Sequence, residues 1–252
     1  MESTLLRQLR FLQASVAVLF VVTIALCINL RYPFIAQRMK VVDAEKINIR
    51  EKDGTLKVVL SNSAGFTAMG GERAKQPGGV QFSGLLFYNQ EGDEEGGLVY
   101  SGKAIPGGQD ADVTLTFDQY RHDQNVYLHH EEHKDAQARS IDDGLTIISR
   151  PDWKGVKEEF AIYAQMEKLS GEERDALQLK SLQEGKISAR RLFVGDRRGV
   201  KNGAGYDDAG VFIRNRWGRD AIKLYVDYDN KPHFEVYDQL GKSIVYDLKL
   251  PK

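Results

Sequence analysis

The segment formed by residues 11–30 contains 20 residues without a formal charge, and this run restricts the N-terminal part of the chain to a helix. At about 1.5 Å per residue, a helix of this length spans about 30 Å, the thickness of the hydrocarbon core of a bilayer. Residues 16–26 are almost entirely aliphatic, whereas a helix buried in a soluble domain rarely needs to be apolar on all sides. The sequence therefore predicts a short basic tail at residues 1–10, followed by a transmembrane helix in contact with lipid.

The residues that flank this apolar run bear on its processing and orientation. A lipoprotein signal requires a small residue before the lipidated cysteine, but Leu26 precedes Cys27, and no small-residue cleavage site stands out. Two basic residues precede the run and three follow it: Arg7 and Arg10, then Arg31, Arg38 and Lys40. Simple counting favours a cytoplasmic domain, but a basic tail before an apolar run is how a signal-anchor begins. We expect an uncleaved anchor in the inner or plasma membrane, with the C-terminal domain outside the cytoplasm.

After a connector at residues 31–46, the hydrophobic pattern changes to a period of two, which is typical of strands with one buried face. The alternation begins near Ile47. The clearest alternating runs are residues 47–50, 113–117 and 222–228. We expect residues 47–252 to form one β-rich soluble domain.

A weak internal repeat places an acidic or amide residue, two variable residues and a glycine between apolar runs. It occurs at residues 51–54, 89–92, 196–199, 215–218 and 238–241, with a sixth copy at 118–121 that lacks the glycine. An Asp or Asn side chain can accept a hydrogen bond from the backbone two residues on, and glycine readily adopts the left-handed conformation. The repeat therefore predicts hairpin turns rather than carboxylates converging on a metal.

The period changes again between residues 155 and 184, where a helical hairpin is expected. Val156, Phe160 and Tyr163 form an apolar stripe, and Ser170 with Glu173 has the spacing of a capping box. Two glycine-rich stretches, residues 65–84 and 199–210, have neither period and predict long surface loops.

These elements predict a mainly β fold, an antiparallel hairpin-repeat sandwich or barrel with a helical-hairpin insertion near residues 155–184. A small β-propeller is the alternative. The sequence motifs at residues 49–62 and 85–92 resemble motifs of uncharacterised bacterial membrane-anchored proteins with similar hairpin repeats. That resemblance implies the architecture and no activity.

The clearest candidate for chemistry is the run His129, His130, Glu131, Glu132, His133. It contains the inverted zinc-protease spacing H-x-x-E-H, but that chemistry requires a helix, and the run follows a strand-like segment. In a strand, His129, Glu131 and His133 share one face and form a candidate metal site of two histidines and one carboxylate. A solvated strand end explains the same residues without a metal.

Composition excludes other classes of function. The 35 basic and 36 acidic residues give a net charge of -1 and are mixed along the chain, so no broad positive surface is available for nucleic acid. Cys27, the single cysteine, lies in the apolar run and cannot serve as a catalytic thiol in the domain. No cofactor motif is present.

We therefore expect a membrane-anchored, non-catalytic binding or scaffold module with a protein partner, for example an accessory subunit of a membrane complex. The alternative is a metal-dependent hydrolase centred on His129, Glu131 and His133.

Overall fold

The computed structural model describes residues 2–31, 40–64, 82–136, 138–201, 203–239 and 241–245. The chain divides into two units, Met1–Ala44 and Glu45–Lys252. Helix α1 (Glu2–Arg31) forms the first unit. Within it, Leu6–Ile28 has a mean hydropathy of 2.5 and is long and apolar enough to cross a membrane or to act as a signal sequence. Residues 32–39 of the predicted connector (31–46) and residues 65–81 of the predicted loop (65–84) lie outside the described residues.

The second unit is built on one antiparallel sheet of twelve strands, each paired with its neighbours in the chain. The strands are β1 (Lys46–Arg50), β2 (Leu56–Ser61), β3 (Ser83–Tyr88), β4 (Glu94–Ile105), β5 (Gly108–Asp118), β6 (Gln124–Lys134), β7 (Arg139–Ser149), β8 (Ala189–Lys201), β9 (Ala204–Arg214), β10 (Asp220–Val226), β11 (Pro232–Tyr237) and β12 (Ser243–Val245). The predicted mainly β antiparallel fold is confirmed. In the described residues β1 pairs only with β2 and β12 only with β11, so the sheet is open and forms no closed barrel, propeller or sandwich.

The structure forms turns at four of the predicted repeat positions, residues 51–54, 89–92, 215–218 and 238–241. In each, the glycine N–H donates to the carbonyl of the first residue at 2.9–3.3 Å. The Asn215 Oδ1 atom accepts from the N–H of Trp217 at 2.9 Å, which is the expected bond to the backbone two residues on.

Other turn and loop predictions were wrong. Residues 196–199 lie inside β8, and most of residues 199–210 belong to β8 and β9 rather than to a loop. The turn predicted at residues 118–121 is displaced by one residue. The N–H of His122 donates to the carbonyl of Gln119 and closes a turn at residues 119–122. A turn after β10 was missed because Asn230, with a φ of 59°, takes the place of glycine.

The predicted helical hairpin consists of α2 (Val156–Met166) and α3 (Gly171–Gln183), preceded by a 3₁₀ turn at Trp153–Gly155. Two details of the prediction were wrong. Ser170 is the N-cap of α3, but its side chain makes no capping hydrogen bond. Phe160 is 51% exposed, whereas its neighbour Glu159 is buried. Helix α2 therefore directs the carboxylate of Glu159 into the protein, together with the side chain of Met166.

The two faces of the sheet differ sharply. The face that carries Val59, Leu86, Thr116, Thr146 and Phe193 is called here the core face, because all five residues are buried. These residues lie in one cross-strand row from β2 to β8. The other face, called the outer face, carries most of the aliphatic residues of the alternating runs, and many of them are exposed. The expectation that the apolar strand faces are buried is therefore wrong within this chain.

Candidate functional site

A hollow of about 880 Å³ lies on the core face near the β4–β5 and β6–β7 turns. Its walls include Ser63 and Phe82 beside β2 and β3, and Tyr206 on β9. Because residues this far apart in the sheet line the same space, the sheet curves around its core face. The charged side chains in the lining are Lys103, Asp110, Asp112, Glu131, Glu132, His133, Asp142 and Arg197.

A buried histidine and an arginine share one carboxylate beside the hollow. His129 on β6 has a side chain that is only 3% exposed, and its Nε2 atom lies 3.1 Å from Asp142 Oδ1 on β7. The other oxygen, Asp142 Oδ2, accepts from Arg197 Nε on β8 at 3.1 Å. Burial raises the pKa of Asp142, but the bonds from His129 and Arg197 outweigh burial and hold that pKa below its usual value. The group therefore keeps a stable negative charge between two donors.

The guanidinium of Arg197 is also held by an aromatic ring. Its Cζ atom lies 3.8 Å from the ring centroid of Phe193, which is within cation–π distance. Gly144 and Gly195, paired on β7 and β8, make room for this ring, because a Cβ at either position would lie within 3 Å of it. The two glycines can be read from the sequence, but their contact with the ring of Phe193 can be recognised only once the register of β7 and β8 is known.

His133 occupies a more exposed position at the rim of the hollow. Its Nδ1 atom is 2.5 Å from Asp110 Oδ1 on β5, and its Nε2 atom is 3.3 Å from Asp135 Oδ2. The hydrogen bonds to Asp110 and then to Asp135 raise the pKa of His133 above its ordinary value. On the opposite face, His130 Nδ1 lies 2.5 Å from Asp143 Oδ1.

The predicted metal-site residues lie in β6, so the helical zinc-protease arrangement is absent from this run. His129, Glu131 and His133 share the core face, as expected for alternate residues of a strand. Each histidine faces carboxylates on other residues instead of converging with Glu131. Among the described residues, no group of three or more His, Cys, Asp or Glu side chains is arranged to hold a metal ion. The metal-site prediction therefore gains no support.

The second candidate surface is the outer face, where two adjacent apolar rows cross the sheet. The first row consists of Ile47, Leu60, Leu85, Leu98, Leu115, Leu128, Leu145, Val194, Val211, Leu224 and Phe234. The second consists of Ile49, Val58, Phe87, Gly96, Phe117, Val126, Ile147, Leu192, Ile213, Ile222, Val236 and Ile244. Neither row contains a charged or hydrogen-bonding side chain.

Exposure of these rows is extensive. Leu128 and Leu224 in the first row are 54% and 53% exposed, and Phe117 in the second is 53% exposed. Sequence reasoning identified the alternation but assigned it to a core inside the chain. The register across all strands was the missing information, since it aligns separate short runs into two continuous bands.

No family model, no curated protein and no solved structure matches this chain. The arrangement of the described residues therefore carries the argument about function.

A half-buried carboxyl group, Asp118, lies at the opposite end of the core face. Burial, followed by the charges of Glu94 and Asp123, raises the pKa of Asp118 to about 7. Its Oδ1 atom is buried without a hydrogen-bond partner. In the unfolded chain the pKa of this group is near the ordinary value of 3.8. The folded protein therefore loses stability as the pH rises from about 4 to about 7.

Replacing Asp118 with asparagine is expected to stabilise the protein by about 1–2 kcal/mol at pH 8, after allowance for partial solvent screening. At pH 4 the difference in stability between the variant and the parent should be much smaller, because the folded carboxyl group is neutral and the unfolded one is only partly ionised. Thermal unfolding of the full-length protein in mild detergent at both pH values checks this. An equal shift in melting temperature at pH 4 and pH 8 would contradict the assignment.

Proposed function

We propose that this protein is a membrane-anchored, non-catalytic binding or scaffold module, an accessory subunit of a membrane complex. Residues 11–30 anchor it in the inner or plasma membrane as an uncleaved signal-anchor, and the sheet lies outside the cytoplasm. The observation that carries the proposal is the outer face. A sheet needs a second layer to cover an apolar face, and in the described residues this face has none.

The size of the uncovered surface supports a binding role. In the two rows, the exposed aliphatic and aromatic residues are 36–56% accessible. With roughly 100–150 Å² of apolar area on each fully exposed side chain, the rows present on the order of 1,000 Å². The largest apolar patch of a typical soluble monomer is about 300–600 Å². A surface beyond that range is characteristic of an interaction site.

The metal-dependent hydrolase has less support. His129 and His133 are each engaged with aspartates, and Asp142 is additionally bound by Arg197. These bonds would have to be given up before the two histidines could join Glu131 around a metal. A network of paired charges that stabilises the curved sheet accounts for the same contacts.

Purification of the full-length protein from its native membrane in mild detergent tests the proposal. We expect a stoichiometric companion, either a different protein or a further copy of the chain, identified by mass spectrometry and by the molar mass of the complex. A solitary 28.4 kDa chain would contradict the binding role.

Protease added to intact spheroplasts tests the orientation, since digestion of the domain is expected and its protection would contradict an external location.

A further inference from the structure

The outer face is suited to one particular partner. We propose that two copies of this chain pack outer face against outer face, so that each sheet supplies the second layer of the other. This inference rests on the proposed binding role and names the occupant of the surface. The resulting dimer would be a β-sandwich with its apolar layer at the interface.

The composition of the rows fits pairing between identical surfaces. In a two-fold dimer the same patch occurs on both partners, so a charge near the axis would meet a like charge. The two rows contain no charge across the width of the sheet. A two-fold axis can therefore pass through any point along the two rows without bringing like charges together. Two sheets packed face to face lie about 10 Å apart.

The borders of the band resemble the rim of an interface. Towards the β4–β5 turn, the outer face carries His130, Asp143, Asp196 and Arg198. These charges are already paired within the chain: Arg198 Nη2 lies 3.1 Å from Asp143 Oδ2, and its Nη1 contacts Asp196. An apolar centre with a polar border is the usual anatomy of a protein interface.

The area of the rows is comparable to that of a standard interface. The rows present on the order of 1,000 Å², and a standard protein interface buries about 800 Å² on each partner. Because the sheet curves around its core face, the outer face is convex, and a second copy covers the part of the rows nearest the two-fold axis. Anchoring in the same membrane also raises the effective concentration of the copies for each other. A contact smaller than a standard interface would then suffice.

Lipid is a poorer occupant for the same surface. Strands β1 and β12 are the two terminal strands of the sheet in the described residues. Sinking the outer face into hydrocarbon would bring the backbone edges of these strands towards an environment in which unpaired N–H and C=O groups are costly. A second sheet covers the face and leaves both edges in water.

Photo-crosslinking in native membranes tests the occupant directly. A benzophenone amino acid is placed at Leu128, in the middle of the first row, in full-length chains that carry two different affinity tags in the same cells. Phe160 on α2, which is 51% exposed and off the sheet, provides the matched control position. After irradiation, we expect an adduct of twice the chain mass that contains both tags at Leu128 and much less of it at Phe160.

The other outcomes separate the inference from the proposed function. An adduct with a different protein at Leu128 would overturn self-pairing and leave the binding role intact. No adduct with any protein would overturn both. In a second measurement without irradiation, Leu128→Asp is expected to reduce co-capture of the second tag about ten-fold or more, because it places an unpaired charge in the interface. Phe160→Asp should leave co-capture unchanged, and equal co-capture by the two variants would contradict the dimer.

Discussion

Replacing Glu159 with alanine is expected to lower the melting temperature of the full-length protein by roughly 6–12 °C, corresponding to a loss of about 3 kcal/mol. The carboxylate is buried and accepts hydrogen bonds from Tyr163 Oη at 2.9 Å and from the N–H of Ser188 at 2.6 Å. Its Oε2 atom lies 3.1 Å from His122 Nε2 in the β5–β6 turn. Alanine would leave these buried groups without an acceptor.

The protonation of His122 is consistent with this arrangement. Its Nδ1 atom accepts from the N–H of Asp123 at 2.9 Å, which assigns the proton of the neutral ring to Nε2, facing Glu159. Burial lowers the pKa of His122, although the neighbouring carboxylate opposes this effect. Glu159 therefore joins α2, the β5–β6 turn and the start of β8.

The adjacent residue supplies the control for this prediction. Glu158 is exposed and pairs with Lys186 at 3.0 Å on the surface. Such pairs contribute about 0–1 kcal/mol, so Glu158→Ala should shift the melting temperature by at most a few degrees. Circular dichroism in mild detergent measures both variants. Equal shifts would show that Glu159 is not the buried anchor of the helical insertion.

Replacing Phe193 with alanine is the second change with a large expected effect. The residue is 1% exposed, and its ring lies over Gly144 and Gly195, which have no side chains that could move into the space. Arg197 would also lose the ring beneath its guanidinium. We expect a loss of about 3–5 kcal/mol, or roughly 6–20 °C in melting temperature.

Phe117 is the matched control for Phe193. It is also a phenylalanine in a strand, but it lies on the outer face and is 53% exposed within the chain. Phe117→Ala should therefore leave the fold of a single chain nearly as stable as before and weaken association between copies. If Phe117→Ala unfolded the chain as readily as Phe193→Ala, the distinction between the core face and the outer face would be wrong.

The strands and most hairpin turns could be predicted from the sequence because their signals are local. Alternation over a few residues defines a strand, and a glycine or asparagine at a fixed offset closes a turn. Residues 196–199 have the same letters as a turn yet lie within β8, since pairing with β7 and β9 determines their conformation. Local chemistry cannot distinguish these cases.

The side of the sheet that is buried could not be predicted, because it depends on curvature and on partners outside the chain. Thr116 and Thr146, polar by composition, are buried on the core face, while Leu128 and Leu224 are exposed. Similarly, His129 and His133 were identified, but Asp142 and Asp110, which pair with them, lie on other strands and could be recognised only from the register. The alternation in the sequence correctly identifies one face of the sheet as apolar. We propose that a second copy of the chain covers this face.

Cysteine accessibility in the native membrane tests most directly whether the outer face is covered. The single cysteine, Cys27, is first replaced by serine, and Leu224→Cys is compared with Phe160→Cys in membranes made permeable to a water-soluble maleimide. Both parent side chains are about half exposed in the chain itself, at 53% and 51%. We predict that Leu224→Cys reacts at least about ten-fold more slowly than Phe160→Cys in the membrane, and that the two rates converge when the complex is dissociated without unfolding the sheet. Equal rates in the native membrane would show that the outer face is open to water and would contradict the account.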